Sequence, residues 1–228
     1  MALPTIHPCV FNFHTTNIRR IGNVIDGGTS LSGFSDSIET DGGGYLAADF
    51  SNGSTRTADA TKEWRVLSDY TVSERLIVML CAERIVQPVN GIIRPHYHRP
   101  SAFGDVPIAS PGAAYVVSNA AALRATSMVI RGASERALQG GELFAIQHPN
   151  WGWRAYRIRT AAQQADGTIL IEFRTPLREA VAAGTTLEFD APRCQMRKAA
   201  QTDNTMTDGR LGQCAVTFRE DMAPPVSA

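Results

Sequence analysis

The sequence predicts a mainly β protein made of antiparallel β-sandwich or β-barrel domains, with one or two short helices and a long projecting loop. Three observations carry this. From Gly140 to Lys198, Gly, Pro and Asp-Gly turn signals recur at even intervals, and apolar residues alternate between them. Glycine is dense near the start, at 22, 27, 28, 33, 42, 43 and 44, as in a chain that turns often. Helical spacing is confined to short stretches.

Residues 1–20 read as an extended arm containing a short strand, VFNFH. Such an arm orders along a neighbour or as an edge strand of its own subunit, and the sequence leaves both open. Residues 21–135 read as an N-terminal β-rich domain. Asp26-Gly27-Gly28 and Asp41-Gly42-Gly43-Gly44 are expected hairpin turns, the second joining a strand at 33–40 to one at 45–50. After a polar passage at 51–60, Trp64, Leu67 and Tyr70 recur at helical spacing behind Thr61, a suitable cap, so a short helix on the sheet is expected. Residues 75–82, RLIVMLCA, form the most apolar run, of a length that suits a central strand covered on both faces. Residues 88–112 hold five prolines and no periodicity, which marks a long loop. Strands are expected at 114–117 and 126–131, with 119–124 open to a helix.

Residues 136–222 read as a small C-terminal β-barrel, with strands near 143–146, 153–160, 168–174, 185–189 and 193–198. Asp166-Gly167 suits a hairpin between the second and third. Pro176 and Gly184 bracket one or two helical turns across a barrel end. Tyr156 and Ile158 fall opposite Arg157 and Arg159, and Ile169, Ile171 and Phe173 fall opposite Glu172 and Arg174, so one face is expected to be wet. A last strand puts Cys214, Val216 and Phe218 on one face, and 223–228 is a flexible tail.

Acidic and basic residues balance at 22 each, so bulk attraction to nucleic acid or anionic membrane is not expected, and the partners expected are proteins. No stretch approaches the ~18 uninterrupted apolar residues of a membrane helix, and the first twenty residues lack a secretory pattern. Synthesis in the cytoplasm without membrane integration is the expectation. Cys9, Cys81, Cys194 and Cys214 form no C-x-x-C pair and read as reduced, apolar fillers. GxxxxGK[ST], GxGxxG and GxSxG are all absent, which removes the phosphate-loop and nucleophile-elbow readings. His96 and His98 on an extended segment can converge on one ion, with Asp105 as the nearby acid and His148 as a third imidazole. A cupin-like site wants a carboxylate shortly afterwards and a third histidine on a paired strand, so no metal, cofactor or catalytic residue is predicted. Trp151, Trp153 and Tyr156 suit either a sugar platform or packing.

The succession GGELF, an aromatic-rich strand carrying YRIR, the Asp-Gly turn, ILIEFRTPLREAVAAGTTLEF and a CQMRK strand resembles the barrel of minor tail and baseplate ring proteins of long non-contractile-tailed bacteriophages, distal tail proteins among them. Residues 21–50 add a similar glycine-punctuated opening, and the likeness spans about two thirds of the chain. The resemblance implies a structural virion protein that forms a ring around the tail channel and joins the tail tube to hub and tip proteins. DNA would pass through that channel without being bound. It implies a homo-oligomer, hexameric by analogy with distal tail proteins and trimeric in a hub position. On that reading Phe11 and Phe13 of the arm and His96, Tyr97, Arg99 and Phe103 of the loop are the subunit-interface candidates. Some related tail-tip proteins carry an iron–sulphur cluster on four cysteines, which the spacing here does not support. The alternative readings are a host-glycan-binding module built on Trp151, Trp153 and Tyr156, and a metal-dependent enzyme around His96 and His98.

Overall fold

The computed structural model describes residues 3–11, 13–22, 24–29, 35–39, 43–55, 57–80, 115–132, 137–189, 191–202, 206–207 and 211–223. In chain order these form β1 (Thr5–Ile6), a 3-10 turn (Pro8–Phe11), β2 (Thr15–Ile21), β3 (Val24–Thr29), β4 (Ser35–Glu39), β5 (Tyr45–Thr55), the helix α1 (Ala58–Asp69), β6 (Leu76–Met79), β7 (Tyr115–Val117), β8 (Ser127–Arg131), β9 (Leu143–His148), β10 (Gly152–Gln163), β11 (Ile169–Phe173), β12 (Thr186–Leu187), β13 (Arg193–Lys198), β14 (Met206–Thr207) and β15 (Leu211–Glu220). The chain is mainly β, as its sequence predicts.

A half-barrel of seven strands runs β1-β6-β13-β15-β5-β2, with β14 beside β15. A nearly closed barrel of six strands runs β12-β7-β8-β11-β10-β9. Reciprocal bonds between Ala145 of β9 and Glu188, just past β12, close it at 2.8 and 2.9 Å. β3 and β4 form a separate two-stranded ribbon. The barrel is an insertion, because β6 and β13 flank it in sequence and pair with each other in the half-barrel. The sheets therefore do not divide at 135/136: β7 and β8 belong to the barrel, and β13 and β15 to the half-barrel. Alternation tells which face a strand buries and is silent about its partner.

The β9–β10 hairpin is the wall between two cores. Phe144, Ile146, Tyr156 and Ile158 point into the barrel, where they meet Tyr115, Ile130, Ile171, Phe173 and Phe189. Leu143, Ala145 and Ala155, one position away, pack into the half-barrel core with Trp64, Leu76, Met196 and Phe218, and Trp153 lies against them. Hence Leu143, Phe144, Ala145 and Ile146 are all buried in succession. The wet face expected for this hairpin is only partly so: Arg159 stays exposed, but the half-barrel covers the rest. Even Arg157, on that face, donates to the Ile18 carbonyl of β2 at 2.8 Å. On β11 the expectation holds, with Ile169, Ile171 and Phe173 buried and Glu172 exposed.

Several local expectations are corrected. Asp26-Gly27-Gly28 lies inside β3, where the register with β4 slips between Asp26 and Thr29; glycines in a strand mark a bulge as readily as a turn. β4 pairs with β3, and β5 pairs with β2 and β15. β5 runs on through the polar passage to Thr55, and α1 starts earlier than expected, with Thr57 Oγ1 as its cap accepting from Ala60 N at 3.1 Å. At the other end of α1, the buried Lys198 ammonium of β13 donates to the Leu67 and Ser68 carbonyls at 3.0 and 3.2 Å. Residues 176–184 form no helix; there Val181 bridges Ala121, and Gly184 takes a φ of 84°. The arm is docked on its own chain: β1 lies parallel to β6, and β2 pairs along β5.

Gly43 and Gly44 fall in a turn as expected, although β4 and β5 on either side of it do not pair as the predicted hairpin, and both are glycine for a close approach as well as a conformation. Their φ values are 105° and 73°. A side chain on Gly43 would overlap Pro176 Cδ of the barrel, and one on Gly44 would overlap the Ile21 carbonyl. Gly43→Ala therefore combines a strained φ with overpacking against a rigid ring and is expected to cost about 2–4 kcal/mol, read from the urea unfolding midpoint.

Candidate functional site at the junction of barrel and half-barrel

Period two along the end of β15 sends Glu220 inward and Asp221, just past the strand, outward. Both are buried, at 6% and 3% exposure. Glu220 Oε1 lies 3.5 Å from Arg154 Nη1 and 3.5 Å from Arg178 Nε, both from the barrel part of the chain. Its Oε2 accepts from Leu46 N of β5 at 3.0 Å. Arg154, 1% exposed, also donates to the Asp221 carbonyl at 2.7 Å and to the Trp151 carbonyl at 3.0 Å. Arg178 Nη2 donates to the Gly44 carbonyl at 2.7 Å. One carboxylate of the half-barrel thus sits between two guanidiniums of the barrel, and their remaining donors hold backbone carbonyls.

Asp221 forms the second half of the cluster. Arg75 Nε and Arg197 Nε stand 2.7 and 3.0 Å from its oxygens, and Gln195 Nε2 donates at 3.1 Å. Burial alone would raise its pKa. The Ala223 and Gln195 hydrogen bonds and the Arg75 and Arg197 charges outweigh that and hold it below the usual carboxylate range.

A neutral layer lies alongside. His148 Nε2 is 2.9 Å from the Tyr156 hydroxyl, which accepts from Arg178 N at 3.2 Å. Burial pushes His148 down to about 4, with Glu179 pulling it up and Arg154 pushing it further down, so the ring is neutral at pH 7. Its Nδ1 has no hydrogen-bond partner among the described residues. Burial raises the Tyr156 phenol, which stays protonated. Glu179 closes the β9–β10 turn by accepting from Asn150 N and Trp151 N at 3.1 and 3.3 Å. Those hydrogen bonds, with that of the Asn150 side chain, outweigh burial and lower its pKa.

Chemically, this arrangement joins two sheets. Each carboxylate is bracketed by guanidiniums. The nearby Cys194 thiol is pushed up to about 12, first by burial and then by Glu220, and Cys214 rises to about 12 by burial, so neither presents a thiolate. Among the described residues no group of three or more His, Cys, Asp or Glu is placed to hold a metal. No helix among them is long and apolar enough to cross a membrane. No protein-family model and no curated protein matches the sequence.

The residues singled out from sequence are scattered. Phe11 is fully buried, 5.2 Å from Trp64 between ring centroids, so it is a core side chain with no surface left for a neighbour. Phe13 is half-buried against Phe50 at 5.4 Å. Tyr156, 1% exposed and stacked on Phe144, offers no face to a sugar. Trp151 and Trp153 are half-buried, with the Arg154 and Arg193 guanidiniums over their rings at 5.4 and 5.3 Å. His96, Tyr97, His98, Arg99, Phe103 and Asp105 lie outside the described residues. Arg154, Arg178, Glu220 and Asp221 were not singled out. The available signal was Arg154 in phase with Tyr156 and Ile158, a charge on the barrel-facing side of its strand.

Two outcomes follow from this geometry. The unfolded chain protonates His148 below about pH 6.5 and the folded chain only near 4, so the stability from its neutral ring is complete above 6.5 and is lost as pH falls towards 4. The loss is at most about 3 kcal/mol, and His148→Gln should flatten unfolding free energy against pH in that window. Glu220→Gln leaves two largely buried guanidiniums without their shared counter-charge and is expected to cost about 3–5 kcal/mol in chemical denaturation.

Proposed function

We propose that the chain is a structural ring subunit of a bacteriophage tail tip or baseplate, of the distal-tail-protein type. Copies close around the tail channel and join the tail tube to the hub and tip proteins, and DNA passes through without being bound. The work is mechanical, located in the virion, and rests on surfaces completed by sister copies.

The observation that supports this reading is the β3–β4 ribbon. β2 pairs β5 as far as Ile21 opposite Tyr45, and the same two chain directions continue from Val24 opposite Glu39. The ribbon is inserted in sequence between β2 and β5, the edge pair of the half-barrel, and its strands pair with no other described strand. Two strands alone are marginal in water. A ribbon of this kind gains stability by lying on another surface, and a sister copy beside the open β2 edge supplies one. The resemblance of residues 140–198 to phage tail barrels points the same way.

Native mass spectrometry of the full chain tests this. Six copies are expected, or three for a hub position, and excision of residues 24–39 should leave a folded monomer because β2 and β5 still pair. A chain that stays solitary at high concentration, or a ribbon-less variant that still assembles, would overturn the proposal.

A further inference from the structure

The outer face of the half-barrel carries a row of arginines. Arg197 of β13 stands directly opposite Arg219 of β15. Arg219 stands opposite Ala47 of β5, and Ala47 opposite Arg19 of β2. One line across four strands therefore reads Arg197, Arg219, Ala47, Arg19. Their neighbours Phe218, Ala48 and Ile18 are in the core, so the row lies on the opposite side of the sheet, where Arg219 and Arg19 are exposed, Arg197 is half-buried and the small Ala47 is covered. At a strand spacing of about 4.8 Å, the backbones of Arg197 and Arg19 flank that of Arg219 at about 5 and about 10 Å.

Like charges directly opposite one another weaken an antiparallel pair. The two flanking arginines are compensated, Arg197 by Asp221 at 3.0 Å and Arg19 by Asp49. Arg219, exposed between them, has no carboxylate partner among the described residues. Beside it a shallow cleft of about 470 Å³ runs over Arg197, Arg219 and Asp221. Val72 and Met222 line this cleft while 46% and 41% exposed, an apolar rim next to an unpaired cation.

We infer that this face docks an acidic segment of a partner protein. One carboxylate seats on the Arg219 guanidinium, whose planar fork matches it, and an adjacent apolar side chain covers Val72 and Met222. Asp49, on the same face beside Arg19, interrupts the row, which favours carboxylates spaced along a peptide over the continuous charge of a nucleic-acid backbone. The balanced 22 and 22 charges give polyanions no general attraction to the chain. The inference holds whether or not the chain closes into a ring with sister copies.

The test uses the full chain and two labelled probes of equal charge, a peptide of alternating Glu and Leu and a single-stranded oligonucleotide. Fluorescence anisotropy should show saturable, salt-sensitive peptide binding, weakened about tenfold by Arg219→Gln. Arg131→Gln, at an exposed arginine ending β8 in the barrel, should leave binding unchanged. Without peptide, Arg219→Gln should melt at the same temperature as the parent or higher, because it relieves a like-charge pair, and this separates lost binding from lost fold. Peptide binding indifferent to Arg219→Gln, an oligonucleotide that binds this face as tightly, no saturable binding of either probe, or a lowered melting temperature in Arg219→Gln would each overturn the inference.

Discussion

The structure depends on one hairpin having both faces buried. β9 and β10 contribute Phe144, Ile146, Tyr156 and Ile158 to the barrel core and Leu143, Ala145 and Ala155 to the half-barrel core. An antiparallel strand with one wet face tolerates a polar residue at every second position, whereas a shared wall tolerates none in its middle. Small residues on the half-barrel side, Ala145 and Ala155, let β13 approach where a larger side chain would hold the sheets apart. Because apolar burial is non-directional, this wall fixes that the two units pack but leaves their relative rotation soft.

Direction comes from the polar junction. Glu220 between Arg154 and Arg178, and the carbonyls of Gly44, Trp151 and Asp221 that those arginines reach, are satisfied together in the observed docking. A buried ion pair of this kind adds little net stability compared with apolar residues of equal volume, but a misdocked barrel would leave charges buried and unpaired. The glycine turn is part of the same device. Gly43 admits Pro176 against bare backbone, and Gly44 offers its carbonyl to Arg178 two residues further on. The burial of His148 beside Arg154 extends the fixed geometry into the β9–β10 turn, where Glu179 holds Asn150 and Trp151.

Much of the strand content was legible in the sequence, because period-two alternation at β11 and β15 and the Asp166-Gly167 and Gly43-Gly44 turns are local signals. α1 was legible too, although its start was misplaced: Thr57 and Thr61 are equally good caps in isolation, and the length of β5 decided between them. Pairing was not legible. The insertion of the barrel between β6 and β13 brings together residues more than a hundred positions apart, and no local pattern encodes that. For the same reason the junction was missed. Arg154 and Glu220 are unremarkable alone, and only the fold makes them neighbours. The aromatic residues were over-read in the other direction, since WGWRAY is as aromatic as a sugar platform, yet Tyr156 spends its ring on Phe144 and its hydroxyl on His148.

Where a folded chain departs from local consistency, the departure points to something outside it. Three departures lie on or beside the half-barrel here. A two-stranded ribbon pairs with no other described strand, Arg219 faces Arg197 with no carboxylate of its own among the described residues, and Val72 and Met222 stay exposed on the rim of the same cleft. None improves the isolated chain, and the first two weaken it. The barrel exposes charges too, Arg131 and Glu172 among them, but Leu123 is the one large apolar side chain exposed among its described residues. On the proposed reading the barrel stiffens the molecule and anchors the sheet, and the half-barrel, whose β2 edge pairs with no further described strand, carries the surface a partner would complete.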